Sequence, residues 1–307
     1  VVKSAELGRF TRAAAQMLRA NVVMYQQDAS RYATVLTDMR EIIGSGLYSL
    51  RSDFAGLWTD SGEWGTESIF EINYTDSPSS RTWENPTKAG GTVFPTLIGI
   101  NGYSGPEWDT GGYGFEPVEE ALYNAYEGGD TRRDATILNF AKYRQQHPEA
   151  TYTPRYDDTG YFNRKYLGRA DGHDKYTGNA PEMNFRNNYR VWRYAETLLI
   201  ASELIVRTNG DRDEADDYLN QVRARAFGMK PGDAAFAAKR RTATLDNLLL
   251  ENRLEFALEG HRFWDLVRYG KAEEVLGSRG YTDAKKHLPI PQSEIAQAHG
   301  TLKQNPY

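Results

Sequence analysis

Glu251-Asn-Arg-Leu-Glu-Phe-Ala-Leu-Glu-Gly-His-Arg-Phe-Trp-Asp-Leu-Val-Arg-Tyr-Gly270 is the most patterned stretch of the chain. Leu254, Leu258 and Leu266 recur at helical spacing, which predicts a single helix over 244–269 with its leucine side buried. Glu259, Arg262, Asp265 and Arg268 alternate in sign at three-residue steps, the spacing at which side chains along one helix side form ion pairs. Acids this dense also raise the possibility of a glycosidase pair. Such a pair needs one carboxyl group kept protonated by an apolar setting and another left ionised. Each acid here has an arginine within helical reach that favours ionisation, so the pattern points to a structural ladder, with catalysis the minor alternative.

Working back from this stretch, 194–207 and 213–226 also read as helices. The first forty-odd residues give two more. One, over 11–27, carries Ala13, Ala14, Ala15, Met17, Leu18, Ala20 and Val22. The other is capped by Asp28 or Ser30 and carries Ala33, Val35, Leu36, Met39 and Ile43. Ala15, Leu18, Ala29, Tyr32 and Leu36 align with Ala201, Leu204, Ala215, Tyr218 and Val222. Small residues at equal separation on paired helices are the logic of a tetratricopeptide repeat, although two alanine-rich pairs also align by chance. The intervening chain has a different texture. A strand is predicted over 67–74, irregular Pro-, Gly-, Ser- and Trp-rich sequence over 77–115, a helix over 117–126, a strand or mixed segment over 133–143, and turns over 151–188. Loops this long inside a compact domain are usually functional. Pro289 and Pro291 force an extended path on a closing segment predicted to lack helix.

With 307 residues, 39% of them apolar, the chain can bury a substantial core. A net charge of −5 with no long basic run gives no electrostatic footprint for nucleic acid. Zero cysteines exclude disulfides and thiolate metal sites within the chain, and no run of about 18 apolar residues is present to span a bilayer. Val1-Val2-Lys3-Ser4 has no signal-peptide character, which marks either a mature start or sequence missing upstream. The five histidines, His147, His173, His261, His287 and His299, lack metal-ligand spacing, and no HExxH, G-x-S-x-G or phosphate-binding loop occurs. Calcium is the one cofactor considered, at Asp157 with Asp158, Asp171 with Asp174, or Asp130 with Asp134. No EF-hand loop is formed there, and solvated turn acids are the usual alternative.

Aromatic residues give the sharper functional expectation. Four of the six tryptophans fall between Trp58 and Trp108, among turn-forming residues. Sugars offer apolar C–H faces that pack on flat rings and hydroxyls that take hydrogen bonds. Trp83, Tyr103, Trp108 and Tyr113 are therefore the candidate stacking residues, with Asn101 and Asp109 as hydroxyl partners and Asn85 and Glu107 nearby. Some of these rings could instead anchor loops, since Trp and Tyr are highly buried on average.

The stretch 252–270 resembles the signature helix of the SusD/RagB family, with tyrosine in place of tryptophan at 269. Four further blocks follow the family order: Glu67-Ser-Ile-Phe-Glu-Ile72, Asp130-Thr-Arg-Arg-Asp134, Arg193-Tyr-Ala-Glu196, and the closing Leu288-Pro-Ile-Pro-Gln-Ser-Glu294 with Leu302-Lys-Gln-Asn-Pro-Tyr307. The resemblance covers the carboxy-terminal part of the family. It implies one mainly α domain, a tetratricopeptide-like scaffold with long loops and a few short strands. Its parts would be a repeat helix pair (1–46), a loop-rich ligand-facing region (47–188), and repeat helices with the signature segment (189–307). It also implies a non-enzymatic lipoprotein on the outer-membrane surface, anchored through an upstream lipidated cysteine that this chain does not contain. A SusC-like TonB-dependent transporter is the implied partner, and Glu255, Glu259, Arg262 and Asp265 are implied to keep the fold. Oligosaccharide is the expected ligand. Peptide, as in the RagB branch, is the alternative, and an intracellular repeat adaptor a more remote one.

Overall fold

The computed structural model describes residues 7–76, 81–173 and 180–306; Val1 to Ser4, Asp174 and Tyr307, named above, lie outside them. Thr11 caps helix α1 (Arg12–Gln26), its hydroxyl accepting from the Ala14 amide at 3.2 Å. Ala13, Met17, Ala20 and Met24 fall on one face and are buried. Asp28 accepts from the Ser30 amide and starts the turn into α2 (Tyr32–Gly44), which buries Val35, Leu36, Met39 and Ile42. The strand β1 (Ser68–Ile72) follows, then the short helices α3 (Phe94–Ile98), α4 (Glu120–Tyr123), α5 (Arg132–Thr136) and α6 (Phe140–Gln146). Strands β2 (Ile137–Asn139) and β3 (Tyr161–Asn163) pair antiparallel. β4 (Tyr189–Arg193) pairs antiparallel with β1 and runs directly into α7 (Tyr194–Arg207). The β1–β4 pair thus closes the loop-rich region at its base and ties it to the helical scaffold.

α7 is buried nearly all round, from Tyr194 to Ile205, and buried polar groups along it find partners: Ser202 donates to the Ala215 carbonyl at 2.8 Å, and Glu203 accepts from Arg207 at 2.7 Å. It packs against α2, against α8 (Arg212–Ala226), and against α9 (Leu245–Glu255). The remaining helices are α10 (Arg262–Arg268), α11 (Ala272–Leu276) and α12 (Gln292–Gln297). α12 corrects the expectation of a helix-free tail: Pro291 stands at its N-cap, a position where a missing amide costs nothing. The proposed repeat alignment also needs correction. Ala201, Leu204 and Ala215 are buried, whereas Ala15, Leu18 and Ala29 are exposed, so three of the five aligned pairs do not do equivalent work; Tyr32 with Tyr218 and Leu36 with Val222 do pack in one core.

The predicted 244–269 helix is broken. α9 ends at Glu255, and Leu258 (φ 66°) and Gly260 (φ 84°) turn the chain through left-handed backbone before α10 begins. Leu254 and Leu266 are 1% exposed, but Leu258, displaced into the break, is only half-buried. The break also undoes the ladder, because the acids reach other elements. Glu259 accepts from Lys165 at 2.6 Å and from Arg193 at 2.8 and 2.9 Å. Glu255 takes Arg132, Arg193 and Arg225 at 3.0, 2.9 and 2.5 Å. Glu251 takes Arg132 and Arg223, Glu67 takes Arg193 and Arg225, and Asp130 takes Arg132. The result is a buried lattice in which five carboxylates meet five cations. Burial opposes ionisation of Glu255, but its three arginines overcome that cost and hold the carboxyl well below the usual range. Only the Asp265–Arg268 rung survives within the helix, and Arg268 also reaches Glu203 at 2.6 Å.

Candidate functional site

The loop-rich region supports its rings in two ways. Trp83 is 48% exposed, and its Nε1 donates to Glu182 Oε1 at 2.7 Å. The Glu182 carbonyl in turn accepts from the Thr96 hydroxyl at 2.6 Å, and the Thr96 carbonyl accepts from the Tyr113 amide at 2.8 Å. Trp83 and the half-buried Tyr113 are therefore both tied to α3. The ring of Phe115, 50% exposed, meets Tyr113 edge-on at 6.1 Å. The Arg155 guanidinium lies 5.1 Å over the Phe115 ring and donates to the Tyr113 carbonyl. A shallow crevice brings Phe115 and Arg155 together with Asn101, Tyr156 and Asp158, and Tyr156 is 90% exposed. Asn101 spends its amide on the Thr153 carbonyl at 2.9 Å, which leaves its side-chain oxygen to accept.

Tyr103 and Trp108 do not belong to this surface as the structure stands, which corrects the reading of them as stacking rings. They are 3% and 1% exposed and sit in a local core with Ile100, Phe140, Tyr143 and Phe162. The cause is the return of the chain: Ser104 pairs with Thr151 and Trp108 with Arg169, folding 151–169 over the rings. Tyr103 Oη is bonded to the Pro106 carbonyl and lies 3.0 Å from Tyr143 Oη; burial raises its pKa strongly. Arg164 and Arg169 lie 5.8 and 5.3 Å from the Trp108 ring centroid. Asp109 is half-buried, and its oxygens face His173 at 3.1 Å and the Gly111 amide at 3.0 Å. Burial alone would raise its pKa, but these two hydrogen bonds bring it below the usual value.

The SusD family model matches residues 66–287. The chain belongs to the SusD family. Among solved structures, this SusD-family chain is similar to surface glycan-binding protein A from Bacteroides thetaiotaomicron in complex with laminarihexaose, with a TM-score of 0.86 and 42% identity over 100% of the chain and 66% of that protein. A laminarin-binding SusD-like protein matches with a TM-score of 0.84 and 32% identity over 99% of the chain and 64% of its own. SusD-like protein P25 of Formosa agariphila is 25% identical over 94% of the chain and 57% of its length. The SusD-family chain thus spans less than two thirds of these relatives.

Within the SusD-family chain, Phe115, Tyr156 and Arg155 are the exposed site candidates that reading the sequence missed. Each is an isolated residue whose exposure depends on a loop's path, and the one local signal is Gly114, at φ 69°, between Tyr113 and Phe115. Of the acid pairs considered for calcium, Asp130 is consumed by Arg132 and Asp134 by Lys142. Asp158 accepts from the Tyr152 hydroxyl at 2.8 Å. Among the described residues no group of three or more metal-ligating side chains converges.

Proposed function

We propose that this chain captures laminari-type oligosaccharide at a bacterial cell surface, without turning it over, for delivery to a SusC-like TonB-dependent outer-membrane transporter. The similarity along the whole chain to a protein solved with laminarihexaose carries the reading. The rings of Tyr113, Phe115 and Tyr156 offer stacking faces with Arg155 and Asn101 near them to meet hydroxyls, and Trp83 adds a further exposed ring held by Glu182. In the signature region Glu251, Glu255 and Glu259 are all engaged by cations, and those cations lower the pKa of Glu255 and Glu259 against the cost of burial, which suits scaffold rather than acid–base work. Outer-membrane attachment through a lipidated cysteine is proposed on the family membership alone; among the described residues no helix is long and apolar enough to cross a membrane.

Isothermal titration of the chain with laminarihexaose tests the proposal, with a mixed oligopeptide pool as the comparator. Saturable heat with the hexasaccharide and no released reducing ends is expected. Binding of peptide but not of sugar would replace glycan capture with peptide capture, and reducing ends released in proportion to protein would overturn the non-catalytic reading.

A further inference from the structure

Glu196 belongs to the Arg193-Tyr-Ala-Glu196 block, yet it stands outside the charge lattice. It is 5% exposed, and its Oε1 accepts from Asn21 Nδ2 at 3.1 Å. Its Oε2 is buried with no hydrogen-bond partner, and no cation among the described residues lies within ion-pair distance. Its place in the first turn of α7 favours the ionised form. Burial opposes ionisation and raises the pKa, although the His261 ring and the Asn21 amide pull the other way. A buried carboxyl satisfied on one oxygen only costs free energy that an incoming cation would recover.

Glu196 lines a cavity of about 520 Å³, the size of a small-ligand site, formed where α1, β4, α7 and α10 meet. Carbon dominates its walls, from Val22, Met24, Val191 and Ile200 and from the rings of Tyr25, Trp192 and Trp264. Tyr25 meets Trp264 edge-on at 5.5 Å, and Trp264 is 41% exposed, so the cavity opens to solvent on that side. The other charged groups on the lining are already engaged: Glu259 by Lys165 and Arg193, and Arg268 by Asp265 and Glu203. The neutral polar groups are largely spent as well. Tyr25 Oη donates to the Lys286 carbonyl and Tyr189 Oη to the Glu259 carbonyl, each at 2.9 Å, and the Asn252 amide donates to the Leu248 carbonyl at 2.9 Å. His261 stacks on Phe256, 4.7 Å between ring centroids. What remains unbalanced is the carboxyl of Glu196. A sugar hydroxyl would satisfy Oε2 but leave its charge uncompensated, and an anion would add to that charge. A primary ammonium brings donors only and the opposite charge, and indole rings nearby favour a cation further. A single lysine side chain of a partner would fill a fraction of this volume, whereas a free amine with an aromatic body fills it.

We infer that this cavity binds a small primary amine with an apolar body, its ammonium bonded to Glu196 Oε2 and its body packed against Trp192, Trp264 and Ile200. The site shares no residue with the aromatic loop surface, so its test is independent of glycan binding. The probes are 2-phenylethylamine, its neutral counterpart 2-phenylethanol, and N-acetyl-lysine methylamide as a stand-in for a lysine of a polypeptide. Each is titrated at millimolar concentration and pH 7 against the intact chain, with binding heat and melting temperature as readouts. Phenylethylamine is expected to bind at least tenfold more tightly than phenylethanol, and Glu196→Gln to abolish the difference. By itself Glu196→Gln is expected to leave the melting temperature unchanged or raised, because the amide keeps an acceptor for Asn21 and removes an unpaired buried acid. Equal binding of amine and alcohol, binding of neither, or discrimination that survives Glu196→Gln would overturn the proposal. So would a large loss of melting temperature in Glu196→Gln alone, which would show that the carboxylate already has its cation, His261 foremost. Tighter binding of the lysine derivative than of phenylethylamine would make the occupant a polypeptide and overturn the small-amine assignment.

Discussion

Glu255 touches three arginines within 3.0 Å and no water-exposed surface, so any change to it leaves a local surplus of buried positive charge. Glu255→Gln is expected to cost about 3–5 kcal/mol at neutral pH, the range for breaking a buried pair from one side. Because the folded pKa is depressed, the stabilisation is present above the unfolded value of about 4.3 and is lost as pH falls through the folded one. Urea denaturation of both proteins should therefore show a gap at pH 7 that narrows below about pH 4; a gap independent of pH would remove Glu255 ionisation from the account. The tryptophans separate by location. Trp83→Ala should leave the fold intact and weaken laminarihexaose binding by about 1–3 kcal/mol, by analogy with base stacking on aromatic platforms. Trp108→Ala should instead cost about 3–5 kcal/mol of stability, as core truncations do. Calorimetry and thermal melts on the pair would reverse these assignments if Trp108→Ala melted normally and Trp83→Ala did not.

At the scale of elements, the break between α9 and α10 decides where the signature acids point. Gly260 sits at φ 84°, and a Cβ there would lie 3.3 Å from Tyr189 Oη, which itself bonds the Glu259 carbonyl. Gly260→Ala is expected to lose about 1–2 kcal/mol from left-handed backbone strain, measured as a shift in denaturation midpoint. A neutral result would mean that the turn has freedom to relax. This break shows how far the sequence could be read. α7 was legible to the residue, since a largely apolar stretch ending in Arg207 and Thr208 admits few alternatives, and β1 was legible as a short strand within the predicted 67–74, although not which faces are buried: Glu71 is buried and Ile72 exposed. The ladder was misread because Glu259 satisfies helical spacing equally well with Arg262, and nothing local reveals that Lys165 and Arg193 arrive from distant parts of the chain. The aromatic loops failed for a related reason. Trp83 and Trp108 sit in similar glycine- and proline-rich surroundings, and only the non-local pairing of Trp108 with Arg169 buries one and not the other.

Over the whole molecule, the β1–β4 pair divides labour between a helical scaffold and a loop face that carries the exposed rings. If that division holds, substitutions on the loop face should alter affinity without altering stability, and substitutions in the charge lattice should do the opposite. Measuring laminarihexaose affinity and melting temperature for Phe115→Ala and for Arg225→Met tests this: the first should lose affinity alone, and the second should lose several degrees of melting temperature. The charge lattice has another consequence, for how the fold responds to dissolved salt. Its ten charged side chains are at most 4% exposed, whereas mobile ions weaken attractions only where they can approach, over about 10 Å of solution at 0.1 M salt. The largest electrostatic investment in this fold is therefore insulated from ionic strength, and its unfolding midpoint should hardly move between dilute buffer and seawater.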